Sequence, residues 1–136
     1  MLIDTNVLLD VVFGRNGYEF VRQMFETIVE KKHKAYITAT SVTDLFYIIH
    51  KETHDTAQTY IIMENIFRLV AVLTVSSGDV LQAFQKKWKD FEDCVQITAA
   101  ENNELAGIIT NNKKDFSKSL ISVWSPEEYI QEFGIN

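Results

Sequence analysis

Met1-Leu2-Ile3-Asp4-Thr5-Asn6-Val7-Leu8-Leu9-Asp10 carries a polar Asp-Thr-Asn triplet inside an otherwise apolar run. Leu2 and Ile3 have the character of a strand covered on both faces, and such a strand belongs in the middle of a sheet. Asp4 then stands at the strand's carboxyl end, the edge of an open α/β sheet where ligands and metals collect. A carboxylate placed there needs partners, and the rest of the chain reads as supplying them.

Outward from that start, apolar runs of two different periods alternate. Phe20, Met24 and Ile28 recur at four-residue spacing beside Val21 and Phe25, which predicts a helix over about Tyr18 to Lys31, with lysines 31, 32 and 34 suited to its C-terminal end. Residues 35–39 read as a strand. Ser41 then reads as an N-cap with Asp44 three residues on, opening a helix to about Lys51. Asp55 opens another helix, carried by Tyr60, Met63 and Phe67, and residues 69–75 form a second β-branched run. Ser76 and Asp79 repeat the capping pattern ahead of a helix whose buried face is marked by Val80, Phe84 and Trp88. The acid-rich break Asp90-Phe91-Glu92-Asp93 leads into a helix of small residues, Cys94 to Ala100. Residues 106–110 form a further buried strand, followed by Asn111, Asn112 and a short segment carrying Asp115-Phe116. Residues 120–123 read as a last strand. Ser125-Pro126-Glu127-Glu128 is a helix start, docked by Tyr129, Ile130 and Phe133. The alternation predicts an α/β fold, a three-layer α/β/α sandwich around a mainly parallel sheet of four to five strands.

Composition bounds the rest. At 136 residues, 46% hydrophobic, the chain can bury a real core as one domain over 1–136, and one proline with five glycines leaves no stretch that reads as a linker. A single cysteine, Cys94, excludes an internal disulfide, and no charged-then-apolar leader precedes the first strand, so a cytoplasmic protein is expected. No apolar run reaches membrane-spanning length, so no membrane partner is expected. The net charge of −6 argues against a general electrostatic grip on nucleic acid. Carboxylates intended for cations nevertheless count as negative, and Lys86, Lys87 and Lys89, like Lys113, Lys114 and Lys118, form local basic clusters that also fit solvated helix faces.

Asp4 ends the first strand, Asp44 lies in the first turn after the second, Asp93 opens the small-residue helix and Asp115 follows the strand that ends at Thr110. Parallel strands joined by right-handed crossovers bring their carboxyl ends to one edge, where these four side chains could converge. Convergent carboxylates raise one another's pKa or recruit cations, and hard oxygen ligands suit Mg²⁺ or Mn²⁺. Each acid also has a structural reading: Asp44 as the end of a capping box, Asp93 as an N-cap, Asp115 as a turn cap. Asp10 reads as surface or helix cap, and Asn6 either caps the following turn or orients Asp4. His33, His50 and His54 have no zinc spacing with Cys94 and read as surface or helix-end residues.

The opening Leu-Ile-Asp-Thr-Asn-Val-Leu-Leu-Asp, the Ser41-Val42-Thr43-Asp44-Leu45 helix start, Asp90-Phe91-Glu92-Asp93 before an Ala-rich helix, and Ile109-Thr110-Asn111-Asn112-Lys113-Lys114-Asp115-Phe116, in this order, resemble a PIN domain. The resemblance implies a metal-dependent nuclease acting on RNA; many bacterial members of this size are VapC-type toxins, each blocked by an antitoxin protein. By the same resemblance Asp4 and Asp93 match metal-binding aspartates and Asn6 a supporting polar residue. Asp44 stands where the family most often has glutamate. The fourth position is left open between Asn112 and Asp115, with Thr110 beside them. Lys113, Lys114 or Arg15 would hold the substrate backbone.

Two other readings remain open at this stage. One is an inactive PIN-like binding or scaffolding module, favoured by the Asp44 and Asn112 departures and the acidic balance. The other is a phospho-transfer α/β enzyme, which also gathers aspartates at strand ends and places a lysine after a late strand. Phe13, Tyr47 and Trp124 would fit either a homodimer or partner surface or the core.

Overall fold

The computed structural model describes residues 1–15 and 17–134. Within them the order is β1 (Leu2–Ile3), α1 (Thr5–Phe13), α2 (Tyr18–Glu30), β2 (Tyr36–Thr38), α3 (Ala39–Thr53), α4 (Thr56–Leu69), β3 (Ala71–Leu73), α5 (Ser77–Lys86), α6 (Phe91–Asn102), β4 (Gly107–Ile109), a 3₁₀ turn (Lys113–Phe116), β5 (Ser122–Trp124) and α7 (Pro126–Phe133). The strands form one sheet in the order β3-β2-β1-β4-β5, every neighbouring pair parallel. β1 is central, as a strand apolar on both faces must be.

Alternation along the strands splits the core in two. Ile3, Ile37 and Ile109 point to one face, where they pack with α1 to α4 and α7 through Leu8, Met24, Leu45, Met63 and Tyr129. Leu2, Leu73 and Ile108 point to the other, against Ile97, Ala99 and Ala100 of α6 and Phe116 of the 3₁₀ turn. Helices on both faces of a parallel sheet make the three-layer α/β/α sandwich.

Several local expectations are corrected. The run Val7-Leu8-Leu9 belongs to a helix, α1, that the polar triplet hides: Asp4 occupies its N-cap position and Gly14 ends it in the left-handed region at φ 60°. Ser41 is not a cap. α3 starts directly where β2 ends, so Ser41 lies within the first turn, and its hydroxyl pairs with that of Thr38 at 2.8 Å. The buried face of α5 is carried by Asp79 and Ala83, while Phe84 is exposed and Trp88 lies beyond the helix, because Lys87 ends it with φ 58°. The last strand begins two residues later than expected, after a turn in which Ser119 Oγ donates to the Ile121 carbonyl at 2.8 Å. The capping boxes at Ser76–Asp79 and Ser125–Glu128 form as the sequence predicts, as does the Asp55 cap of α4.

Candidate metal centre

Strand order reverses between β1 and β4, since β2 and β3 lie on one side of β1 and β4 and β5 on the other. Crevices at the carboxyl ends of strands flanking such a switch are where open α/β sheets bind ligands. Asp4 follows β1 and Thr110 follows β4. Asp4 is only 5% exposed, and the Thr110 hydroxyl donates to its Oδ2 at 2.8 Å. Burial raises the Asp4 pKa above the ordinary carboxylate value; the Thr110 bond and the nearby Thr5 and Asn6 amides at the start of α1 oppose that rise. The Asp4 side chain makes no capping hydrogen bond of full geometry to α1.

A cavity of about 340 Å³ opens beside it, lined by Asp4, Asp44, Asp93 and Asp115 together with Asn6 and Gln96 among others. The four aspartates come from four separate elements. Asp44 is exposed in α3, Asp93 half-buried in the first turn of α6, and Asp115 exposed on the 3₁₀ turn. Asp93 reaches the cavity because Asp90 is the residue that caps α6, accepting the Asp93 backbone N–H on Oδ1 at 3.0 Å. Burial, and then the carboxylates of Asp90, Asp4, Asp115 and Glu92, push Asp93 up to about 7. Burial followed by the Asp44 carboxylate raises Glu92, which also lines the cavity.

Thr110 stands behind Asp4, bonded through Oγ1 both to it and to the Asn112 backbone N–H at 3.0 Å. Asn112 itself opens the 3₁₀ turn and is not among the cavity's lining residues, whereas Asp115 is. Two of the three basic groups considered for the substrate backbone are engaged elsewhere: Lys113 pairs with Glu128 at 3.0 Å and Arg15 with Asp10 at 3.8 Å. Asp10 also accepts from Asn111 Nδ2 at 2.6 Å, so it ties α1 to the loop after β4 rather than capping a helix. His33 is half-buried, its Nδ1 2.6 Å from the Tyr129 hydroxyl, because α7 folds back over the end of α2.

Sequence reasoning did not assign Glu92, Tyr47 or Gln96 to the site, and all three are on the cavity wall. Gln96 carried a signal: it is the one amide in a run of small and apolar residues, three positions after Asp93 and so on the same helix face. It is 1% exposed, and its Oε1 has no hydrogen-bond partner among the described residues; Thr5 Oγ1, on the same cavity, is the other such atom.

The donor set tests whether a divalent cation fits. All the groups are hard oxygens, burial and then the neighbouring carboxylates push Asp93 up to about 7, and two buried oxygens in the wall lack partners. Among the described residues no three His, Cys, Asp or Glu side chains stand as a ready-made cage. Both facts hold together, because residues lining a cavity of this size need not be within direct-ligand reach of one another. The chemistry fits a cation held through an open shell, with Asp4 and Asp93 as the groups most in need of positive charge.

A PIN domain model matches residues 1–114. The chain belongs to the PIN domain family. This PIN domain is 21% identical over 140 residues to Ribonuclease VapC1 of Aquifex aeolicus (strain VF5), with 98% of this chain and 95% of that protein covered. Among solved structures, VapBC2 from Rickettsia felis bound to a DNA fragment from their promoter aligns with a TM-score of 0.68 at 14% identity, covering 91% of this chain and 98% of that one. A toxin-antitoxin complex from Klebsiella pneumoniae gives 0.64 at 21% identity, with 92% and 96% covered. At such identities these two structures speak for the fold.

Proposed function

We propose that this PIN domain is an endoribonuclease that hydrolyses RNA phosphodiester bonds with Mg²⁺ or Mn²⁺ at the acidic cavity, and that it is the toxin of a toxin–antitoxin pair. The observation that carries the reading is the meeting of Asp4, Asp44, Asp93 and Asp115, from four elements, on one cavity at the switch point of the sheet. Asp4 and Asp93 would hold the cation, and Asp44 and Asp115 would complete its shell. When bound, the cation supplies an acidified water and positive charge against the scissile phosphate.

The remaining work falls to the chain. Thr110 fixes one oxygen of Asp4 and keeps the carboxylate from turning away. Asp90 caps α6, so the cap does not draw on the Asp93 carboxylate. Asn6 borders Asp4, and Gln96 Oε1 would accept a hydrogen bond from a water or a substrate hydroxyl. No nucleophilic side chain is required.

The similarity to a ribonuclease and to toxin–antitoxin complexes supports the substrate class and an antitoxin partner. Tyr60, Ile61, Phe67 and Leu69, exposed along α4, would suit such a partner or a second copy. A toxin acting on cellular RNA works in the cytoplasm, where the buried free thiol of Cys94 stays reduced. The absence of a ready-made cage among the described residues favours a second reading, an inert binding module.

Cleavage of a mixed RNA pool with Mg²⁺ or Mn²⁺ separates the two. The parent should cut, and Asp4→Asn or Asp93→Asn should each slow it at least ~10²-fold, on the order of 3 kcal/mol of transition-state stabilisation. Equal cutting by all three proteins would mark a contaminating nuclease and remove the catalytic reading.

A further inference from the structure

Next to the acidic cavity, and sharing Asp90 and Asp115 with it, lies a second cleft of about 460 Å³. That volume is within the ~300–1,000 Å³ typical of small-ligand sites. Its other walls carry Trp88, Lys89, Lys114 and Lys118.

The fold divides the chain's two lysine clusters. Lys86 is bound to Glu101 at 2.9 Å and to Thr98 at 2.8 Å, and Lys113 to Glu128 at 3.0 Å. Lys89, Lys114 and Lys118 make no ion pair or side-chain hydrogen bond among the described residues, and all three are exposed around the cleft. They do not form a solvated helix face. Lys89 lies in the connection between α5 and α6, Lys114 in the 3₁₀ turn and Lys118 just after it. Trp88 is half-buried on the same cleft wall, steadied edge-on by buried Phe116 at a centroid distance of 6.4 Å. In a chain of net charge −6, three unpaired ammonium groups therefore line one cleft with a held indole, beside a pocket of carboxylates.

We propose that this cleft is a nucleotide subsite for single-stranded RNA, in which Lys89, Lys114 and Lys118 hold phosphates flanking the scissile bond and Trp88 stacks a base. The assignment rests on the ribonuclease reading of the adjoining cavity. Unpaired lysines following a strand and an aromatic face offered to a base are the two components of single-strand binding. A duplex has no free base face to give Trp88.

The test is equilibrium binding of a mixed-sequence, fluorescein-labelled single-stranded RNA in EDTA, which prevents cleavage, with the salt concentration varied. The double variant Lys114→Gln/Lys118→Gln should bind roughly tenfold more weakly, and its salt slope should fall by about 1.4, at ~0.7 per phosphate contact on a single strand. Lys31→Gln/Lys34→Gln removes the same charge at the opposite edge of the sheet and should bind as the parent does. Trp124→Phe, which keeps Trp88, should show fluorescence quenching with unlabelled RNA; Trp88→Phe should not, and the duplex should quench neither. Thermal melts confirm that each variant folds, and the lysine pair decides the matter if Trp88→Phe does not.

Parent-like binding and slope in Lys114→Gln/Lys118→Gln, an equal loss in the control pair, or no RNA binding by the parent would overturn the subsite. If the parent cuts RNA with Mn²⁺ while the lysine pair has no effect, the subsite alone falls. If the lysines and Trp88 behave as expected but no RNA is cut, the cleft stands as a single-stranded RNA site and the catalytic reading falls.

Discussion

Asp93 carries a measurable consequence of its crowding. Its folded pKa is pushed up to about 7 from an ordinary 3.8, so between those values the folded state holds a proton that the unfolded chain has released. Stability of the metal-free protein should therefore fall as pH rises from about 4 and level off above about 7, and the raised Asp4 and Glu92 add to the same fall. Urea midpoints between pH 5 and 8 in EDTA should show this decline for the parent and a flatter curve for Asp93→Asn; an unchanged curve would mean that neither burial nor the neighbouring carboxylates raise Asp93. Gln96 makes a second case. Its buried Oε1 lacks a partner, so Gln96→Leu should leave Tm unchanged or raised, because removing an unsatisfied buried group relieves its desolvation cost, while slowing RNA cleavage roughly tenfold, because the cavity wall loses a hydrogen-bond acceptor. A parallel loss of Tm and activity would assign Gln96 to packing alone. At this scale the sequence exposed Asp4, because a carboxylate at the end of a buried strand has few innocent explanations. It left Asn112 and Asp115 open, because only the path of the 3₁₀ turn decides which of two residues three apart borders the cavity.

Elements were legible where the local chemistry is self-contained. Ser76–Asp79 and Ser125–Glu128 form reciprocal caps out of four adjacent residues, and a sequence displays all of them. α1 was hidden, because its polar first turn faces the cavity and breaks the apolar period. Ser41 misled for the converse reason: the strand-to-helix junction falls at Thr38, a choice made by sheet pairing with β3 and not by the serine. β4 makes a sharper prediction. A Cβ at Gly107 would run into the Trp124 ring and come within 2.6 Å of the Ser122 carbonyl oxygen of β5, so that no rigid-body shift of one side chain relieves it. Gly107→Ala should cost about 1–3 kcal/mol by overpacking, read as a lower urea midpoint with an unchanged m-value. Parent-like stability would mean that β4 and β5 separate more readily than their pairing indicates.

Across the whole molecule, the parallel sheet turns sequence separation into proximity. That rule let four aspartates spread from residue 4 to residue 115 be read together, since every parallel strand delivers its carboxyl end to one edge. Charge was harder to read. Which lysines pair with Glu101 and Glu128, and which are left around Trp88, depends on helix packing that no spacing reveals. No described helix is long and apolar enough to cross a membrane. The central claim is that the shared edge binds a hard divalent cation, and calorimetric titration of Mn²⁺ into the parent, Asp4→Asn and Asp93→Asn tests it most directly. Saturable binding by the parent, lost or weakened at least ~tenfold in each variant as a charged oxygen ligand is removed, is the predicted result. No binding by the parent, or the same isotherm for all three proteins, would contradict it.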